Sequence, residues 1–361
     1  MDAPFPVNTH ARHNMAITSY WADDYVEKIR TVEAAIGLIR SGQRVFIGSA
    51  CGEPQWLVRG LYDSAGSFTD LEIVRLLSLE STPLTSIADK SKSQNMNIRS
   101  FYLGSVKSKE LAKNIRFLTP INLSAVPRIF KSRRLPLHAA LIQVSPPDDF
   151  GWMSLGVSVD VTLAAALSAD LVIAQVNSRM PWVLGQSFIH VNDVDVIVEH
   201  DEDLLTIDAL PESEQANIIG RHIANLIDDG STIQISLGTT SQATLLALSD
   251  KNHLGVHSQF LTNDMMHLVS KGVITNRRKG FNEGKLVASI AIGTKELYEF
   301  LHYNPSVEFH PSDYVNDARI ISRHNKMVCM NRHIHCIIAK EIDFGAQFKK
   351  RFAQPKSTIH R

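Results

Sequence analysis

Cysteine is scarce in this chain. Cys51, Cys329 and Cys336 are the only three, an odd set with no framework spacing, which excludes a disulfide-stapled scaffold and suits a reducing cytoplasm. An excess of charge of one sign is also missing. The 37 basic and 37 acidic residues cancel to a formal net charge of +0, so no broad attraction to nucleic acid or to an anionic membrane is expected. Long apolar runs are lacking as well. The longest, Val161 to Val176, is interrupted by Asp170 and falls short of the roughly 20 residues a membrane-spanning helix needs. Met1 to Trp21 scatters Pro, His, Arg and Asn without an apolar core, so no signal peptide is expected there. No segment is of low complexity. These absences leave a soluble, cytoplasmic, globular protein as the expectation.

What is present is enough apolar material for two cores. The chain has 361 residues, 44% of them hydrophobic, and domains usually take roughly 100–200 residues each. Two segments share one order of signals. In the first, Val32, Ala35, Ile36 and Ile39 form a helical stripe, Gly42 closes it, and Val45 and Ile47 open a strand that runs to Gly48. In the second, the stripe is Ile218, Ile219, His222, Ile223, Leu226 and Ile227, the closing glycine is Gly230, and the strand holds Ile233 and Ile235 before Gly238. Helix, glycine C-cap and β-branched strand is the commonest αβ punctuation, so the likeness supports a structural duplication only modestly. Ala139 to Val144 and Leu171 to Val176 read as strands buried on both faces, with a helix from Asp160 to Ser168 between them. Val194, Val196 and Val198 alternate with Asp195 and Ile197 and predict a strand nearer an edge. The polar stretch His200 to Glu214 is the natural boundary. The reading is α/β, two open domains with largely parallel sheets, over residues 1–205 and 206–331, followed by a divergent basic tail over 332–361.

Several short stretches follow one family's pattern in order. They are Ser41-Gly42-Gln43-Arg44-Val45 through Gly52-Glu53-Pro54, then Pro146-Pro147-Asp148 with Gly151 and Ser154-Leu155-Gly156, then Pro181 to Gly185 with Ser187 and His190. Leu254-Gly255-Val256-His257-Ser258-Gln259-Phe260-Leu261-Thr262-Asn263-Asp264 leads into Lys271-Gly272-Val273-Ile274-Thr275-Asn276. Gly284-Lys285, Ala288-Ser289, Gly293-Thr294, Asn304-Pro305 and His310-Pro311-Ser312-Asp313-Tyr314-Val315-Asn316-Asp317 complete the series. Singly weak, together they resemble the acetyl-CoA hydrolase/transferase family, which includes the acetate, butyrate and 4-hydroxybutyrate CoA-transferases, over about Gly42 to Asn331. The resemblance implies two α/β domains of the CoA-transferase type with the active site in the cleft between them. It also implies coenzyme A as a substrate, with no tightly bound cofactor and no metal. After Asn331 the chain departs from the family's continuation, and family members are longer by most of a sheet, so the second domain reads as incomplete.

The resemblance assigns residues. In the family the third residue of the His-Ser/Thr-Glu triplet is the glutamate that attacks the acyl-CoA thioester, and here that position is Gln259. A carboxylate can become an acyl anhydride and then a glutamyl-CoA thioester, whereas a neutral amide is a poor nucleophile. The turn Ser236-Leu237-Gly238-Thr239-Thr240-Ser241 lies where the family places CoA, with hydroxyl residues in place of some of the usual glycines and a proline. Small residues between strand and helix expose N–H groups that suit a thioester oxygen or a phosphate; a plain αβ turn is the competing reading. Glu53, the lone carboxylate of the Ala50 to Gln55 turn, is a weaker catalytic candidate and otherwise a helix N-terminal charge. His190 joins the binding set by resemblance. His257 and Asp264 flank Gln259 and could activate water, against a packed strand-end residue and a helix cap. Cys329, His333, His335 and Cys336 match no usual zinc spacing. The clusters Lys131, Arg133, Arg134 and Arg277, Arg278, Lys279 read as solvated faces rather than phosphate contacts.

The expected activity is transfer of CoA from a short-chain acyl-CoA to a carboxylate, or hydrolysis of the thioester, with a homo-oligomer left open. The alternative is a catalytically impaired acyl-CoA-binding homologue or part of a larger CoA-transferase. A sugar-phosphate isomerase on a related scaffold would need a carboxylate base beside a phosphate cradle, and no such pair stands out.

Overall fold

Alternation along the first strands decides the architecture. The computed structural model describes residues 20–77, 96–101, 115–331 and 335–338. Helix α1 (Trp21–Lys28) and the short α2 (Val32–Ile36) precede β1 (Arg44–Ile47), and α3 (Gln55–Asp63) follows it. The strands β2 (Leu71–Arg75), β3 (Met96–Ser100), β4 (Ile115–Leu118), β5 (Ala139–Val144), β7 (Leu171–Val176) and β9 (Val196–Glu199) complete a seven-stranded sheet in the order β4-β3-β2-β1-β5-β7-β9. Every neighbouring pair in it is parallel. Val45, Ile47, Leu71, Ile73, Ala139, Leu141, Ile173, Val196 and Val198 face α2 and α3. Their alternates, Phe46, Val74, Ala140, Ile142, Val172, Ala174 and Ile197, face the other way, onto α4 (Val126–Lys131) and α5 (Thr162–Ala166). Successive side chains on a strand point to opposite faces, and both faces here are buried, as in parallel sheets generally. The expected edge strand is β9. The expected helix 160–168 is the shorter α5, begun by Asp160, whose Oδ1 accepts from the N–H and hydroxyl of Thr162 at 2.9 and 2.8 Å. A separate two-stranded antiparallel sheet, β6 (Trp152–Ser154) with β8 (Phe188–His190), leans on α1.

The second sheet is smaller. Helix α6 (Glu214–Ala224) leads to β10 (Thr232–Ile235), then α7 (Thr239–Leu246), β11 (Gly255–Val256), β12 (Phe260–Leu261), α8 (Asn263–Ser270), β13 (Leu286–Ala288), β14 (Ile290–Ala291), α9 (Lys295–Leu301), β15 (Val307–Phe309), α10 (Ser312–Val315), β16 (Met327–Asn331) and β17 (His335–Ile338). The order is β11-β10-β16-β17, parallel except for the last pair. Gly42 and Gly230 both take φ of +75°, but neither caps a helix: the C-caps are Gly37 and Asn225, and the two glycines sit in the turns that lead into β1 and β10, where a Cβ would be strained. Residues 200–213, between the two sheets, carry no helix or strand. They are pinned by Ile207 N–H to the Gly293 carbonyl at 2.9 Å and by the Tyr298 hydroxyl to the Leu205 carbonyl at 2.6 Å.

The two lobes are stitched together by backbone. Ser158 bridges Ile290, Val159 N–H reaches the Ser289 carbonyl at 3.0 Å, Ala291 N–H reaches the Val157 carbonyl at 2.8 Å, and Ser312 N–H reaches the Asp160 carbonyl at 2.9 Å. One hydrophobic cluster accordingly runs from Phe46 and Phe130 through Ile233 and Val256 to Ile290 and Phe309. Among the described residues no helix is long and apolar enough to cross a membrane.

The α6 stripe is corrected by the structure. Ile218, Ile219 and Leu226 are exposed, and the buried line is Ala216, Gly220 and Ala224. A Cβ on Gly220 would stand 2.7 Å from the Ala243 carbonyl carbon of α7. Small residues spaced by four let two helix backbones approach closely, and that approach outweighs burial of the larger side chains.

Candidate active site

The turn after β10 is the starting point. Gly238 has φ of +149°, is the residue before α7, and a Cβ on it would meet nothing within 4 Å. No side chain caps α7, so its first N–H groups have no intrahelical partner and face an open approach. The expected cradle Ser236, Leu237, Gly238, Thr239 and Thr240 is therefore a single strand-to-helix turn.

The segment that carries Gln259 starts from the neighbouring strand. Strand β11 pairs with β10 in the register Ile233 to Val256, and the backbone ladder ends where His257 N–H reaches the Ile233 carbonyl at 3.1 Å. Ser258 adds a side-chain tie, its hydroxyl accepting from Ile235 N–H at 3.2 Å and donating to the Ile235 carbonyl at 3.1 Å. On the other side Ser258 N–H reaches the Val287 carbonyl at 3.0 Å, and the Gln259 carbonyl accepts from Ser289 and Ile290 at 3.2 and 3.0 Å. The Gln259 carbonyl is thus held twice, while the residue itself is partly exposed.

His257 points away from this turn. It is fully buried, its Nε2–H donates to the Val315 carbonyl at 2.9 Å, and its ring lies 4.4 Å from that of His324. Burial, with Lys279 nearby, pushes it down to about 4. It is a neutral packed residue, as its strand-end reading supposes. Asp264 does not cap α8: Thr262 holds that position and Asp264 lies in the first turn, its carboxyl raised by burial.

The turn after β1 approaches from the first lobe. Glu53 is fully buried rather than displayed at a helix N-terminus, and it lies in the field of the equally buried Arg75 at the end of β2. A Cβ on the neighbouring Gly52 would come within 2.6 Å of the Ser158 Cβ, and Ser158 bridges Ile290, whose N–H holds Gln259. Glu53 and Gln259 thus belong to turns that share a wall. His190 does not join them. Its Nε2–H donates to the Phe150 carbonyl at 2.9 Å and its Nδ1 accepts from Asn192 N–H at 3.1 Å, which occupies both nitrogens beside the β6–β8 sheet.

Other residues are placed differently from their sequence reading. Arg277 and Arg278 are exposed, but Lys279 is fully buried. Lys131 and Arg133 pair with Asp313 and Asp170 at 3.0 and 2.8 Å. Among the described residues no group of His, Cys, Asp or Glu could hold a metal; His333 lies outside them. Two surface clefts, of about 570 and 580 Å³, are lined by Lys131, Gln186 and Tyr314 and by Arg179, Lys295 and His302 respectively. Neither includes Gln259 or Gly238. No sequence pattern announces these clefts, because each is assembled from distant segments.

Comparison with known proteins agrees with this architecture. The pattern described as the acetyl-CoA hydrolase/transferase N-terminal domain matches residues 12–207, and that of the C-terminal domain matches residues 293–350. The 4-hydroxybutyrate coenzyme A transferase of Clostridium kluyveri is 39% identical over 311 residues, covering 86% of this chain and 72% of that protein. The succinyl-CoA:acetate/propanoyl-CoA:succinate CoA transferase of Fasciola hepatica is 33% identical over 87% of this chain and 64% of its own length. Among solved structures, RipA from Yersinia pestis superposes with a TM-score of 0.80 at 29% identity, over 86% of this chain and 74% of that one. The 4-hydroxybutyrate CoA-transferase from Porphyromonas gingivalis superposes at 0.75 with 30% identity and the same coverage. With its first lobe matched almost from end to end, this chain belongs to the acetyl-CoA hydrolase/transferase family.

Proposed function

We propose that this chain carries the site of an acyl-CoA:carboxylate CoA-transferase, or acyl-CoA hydrolase, acting on short-chain acyl-CoA, with an amide at the acyl-carrier position. The reading is supported by Ser258, the residue before Gln259, which hydrogen-bonds at both ends to Ile235, three residues before Gly238. In that arrangement a carboxylate at 259 would attack the thioester carbonyl and release CoA thiolate, leaving an acyl-glutamyl anhydride. The thiolate would then attack the glutamyl carbonyl, release the first carboxylate and form a glutamyl-CoA thioester for the acceptor acid. The turn's N–H groups would stabilise the developing oxyanion. Names of relatives as CoA-transferases acting on 4-hydroxybutyrate, succinyl-CoA or butyryl-CoA support the substrate class.

A second reading, acyl-CoA binding without turnover, rests on the amide itself. Gln259 cannot supply the anionic oxygen that both covalent intermediates need. Mixing the protein with acetyl-CoA and butyrate or 4-hydroxybutyrate separates the two. The parent chain is expected to exchange CoA slowly or not at all, and Gln259→Glu to form a thioester trapped by hydroxylamine or borohydride. Since 1.36 kcal/mol of barrier is about tenfold in rate, partial rescue is easily read. Robust exchange by the parent chain would place the acyl carrier elsewhere.

A further inference from the structure

Strand β11 is only two residues long and lies at the edge of its sheet. Its inner side is satisfied by β10: Gly255 N–H reaches the Ser231 carbonyl at 2.9 Å and His257 N–H the Ile233 carbonyl at 3.1 Å. In a parallel ladder the intervening residue turns its N–H and C=O outward, and an edge that leaves them unpaired is poorly fixed. On that outer side backbone bonds hold the flanks, Leu254 N–H reaching the Val273 carbonyl at 2.9 Å and Ser258 N–H the Val287 carbonyl at 3.0 Å, and at Val256 between them two side chains close the edge. Val256 N–H donates to Asn276 Oδ1 at 2.8 Å, and the Val256 carbonyl accepts from Lys279 Nζ at 2.7 Å. The same ammonium donates to the Lys285 carbonyl at 2.7 Å, one residue before β13. Lys279 is completely buried, and its stem runs over Gly255, where a Cβ would stand 2.4 Å from Lys279 Cγ. Asn276, at φ of +58°, turns the loop that delivers both side chains.

We propose that Lys279 is a positioning residue for position 259, a buried cross-brace that ties β11 to β13 and thereby sets residue 259 against the 236–240 turn. Each end of the brace leads to Gln259. Val256 is three residues before it, and the strand that begins after Lys285 ends at Ala288, next to Ser289, whose N–H holds the Gln259 carbonyl. A charged donor to two carbonyls is stronger than a neutral one, and a buried cation is retained only where such partners exist. The proposal rests on the reading of residue 259 as the acyl-carrier position, and its test separates the two.

Two readouts are required. In the parent chain, Lys279→Met should speed amide hydrogen exchange across residues 254–261 and 285–291 by roughly tenfold, while the seven-stranded sheet keeps its protection and Lys279→Arg restores part of the loss. This readout needs no activity, so it stands even if Gln259→Glu forms no thioester and the functional reading fails. In the Gln259→Glu background, adding Lys279→Met should slow thioester formation at saturating acyl-CoA by about 100-fold, the scale of a 1 Å misplacement, and leave CoA affinity unchanged. Affinity and rate falling together would mark a merely structural strut and overturn the proposal, as would unchanged exchange across 254–261. If Lys279→Met does not fold, Lys279→Gln, which keeps a donor but no charge, is judged by the same two measurements.

Discussion

Gly238 and Gly220 are glycines in opposite settings, one beside open space and the other at a close helix contact. Gly238 has a positive φ and open space where a Cβ would go. Gly238→Val therefore costs the backbone strain of a conformation, φ 149° and ψ 163°, that essentially only glycine adopts, on the order of 1–3 kcal/mol, while filling the approach to the α7 N–H groups. Calorimetry with CoA should show binding lost, and a thermal melt should show a cooperative fold only modestly weakened. Binding that survives the change would place CoA elsewhere. The 236–240 turn, Gln259 and Glu53 were each singled out from a short stretch of sequence. The burial of Glu53 and Lys279 was not legible: the one reads as a helix N-terminal charge and the other as part of a solvated cluster, and only the tertiary fold brings Arg75 near the one and two backbone carbonyls onto the other.

Elements follow the same division between local pattern and tertiary contact. Strands β5 and β7, almost wholly buried, and β9 at the sheet's edge are what their apolar runs and alternation predict. Both helix-to-strand units form, but Gly42 and Gly230 turn the chain into the strands rather than cap the helices, whose C-caps are Gly37 and Asn225. In α6 the periodicity was correct and the face was not, since a stripe of large apolar residues is outcompeted by Ala216, Gly220 and Ala224 when α7 packs at backbone distance. Gly220→Leu must push the two helices apart. It is expected to destabilise the second lobe by about 3 kcal/mol, at the upper end of overpacking costs, which denaturant unfolding would measure. Ile218→Ala on the exposed face should change stability by less than about 0.5 kcal/mol. The reverse ranking would restore the apolar stripe as the buried face.

At the scale of the whole molecule, the continuous core gathers basic groups where water cannot solvate them. His257, His324 and Lys279 are buried together near Glu308, His310 and Tyr314. Burial pushes the two imidazoles down to about 4 and 3 and the ammonium down to about 7. For each, the unfolded chain holds its proton to higher pH than the folded one. Stability from the histidines is therefore present above their unfolded value, about 6.5, and is lost as pH falls from there toward 4. By the same sign, stability linked to Lys279 rises as pH climbs above 7, by up to about 1.4 kcal/mol per pH unit for one proton. Cys51, raised to about 11 by burial, works in the opposite sense only above its ordinary value, so the window from pH 7 to 8.5 isolates the lysine. Denaturant unfolding of the parent and of Lys279→Met across that window should show a stability difference that grows with pH in favour of the parent. His257→Gln should leave that slope intact and flatten the loss between pH 6.5 and 4. A pH-independent difference between parent and Lys279→Met would mean that the buried ammonium keeps its proton throughout, held by its two carbonyls against desolvation.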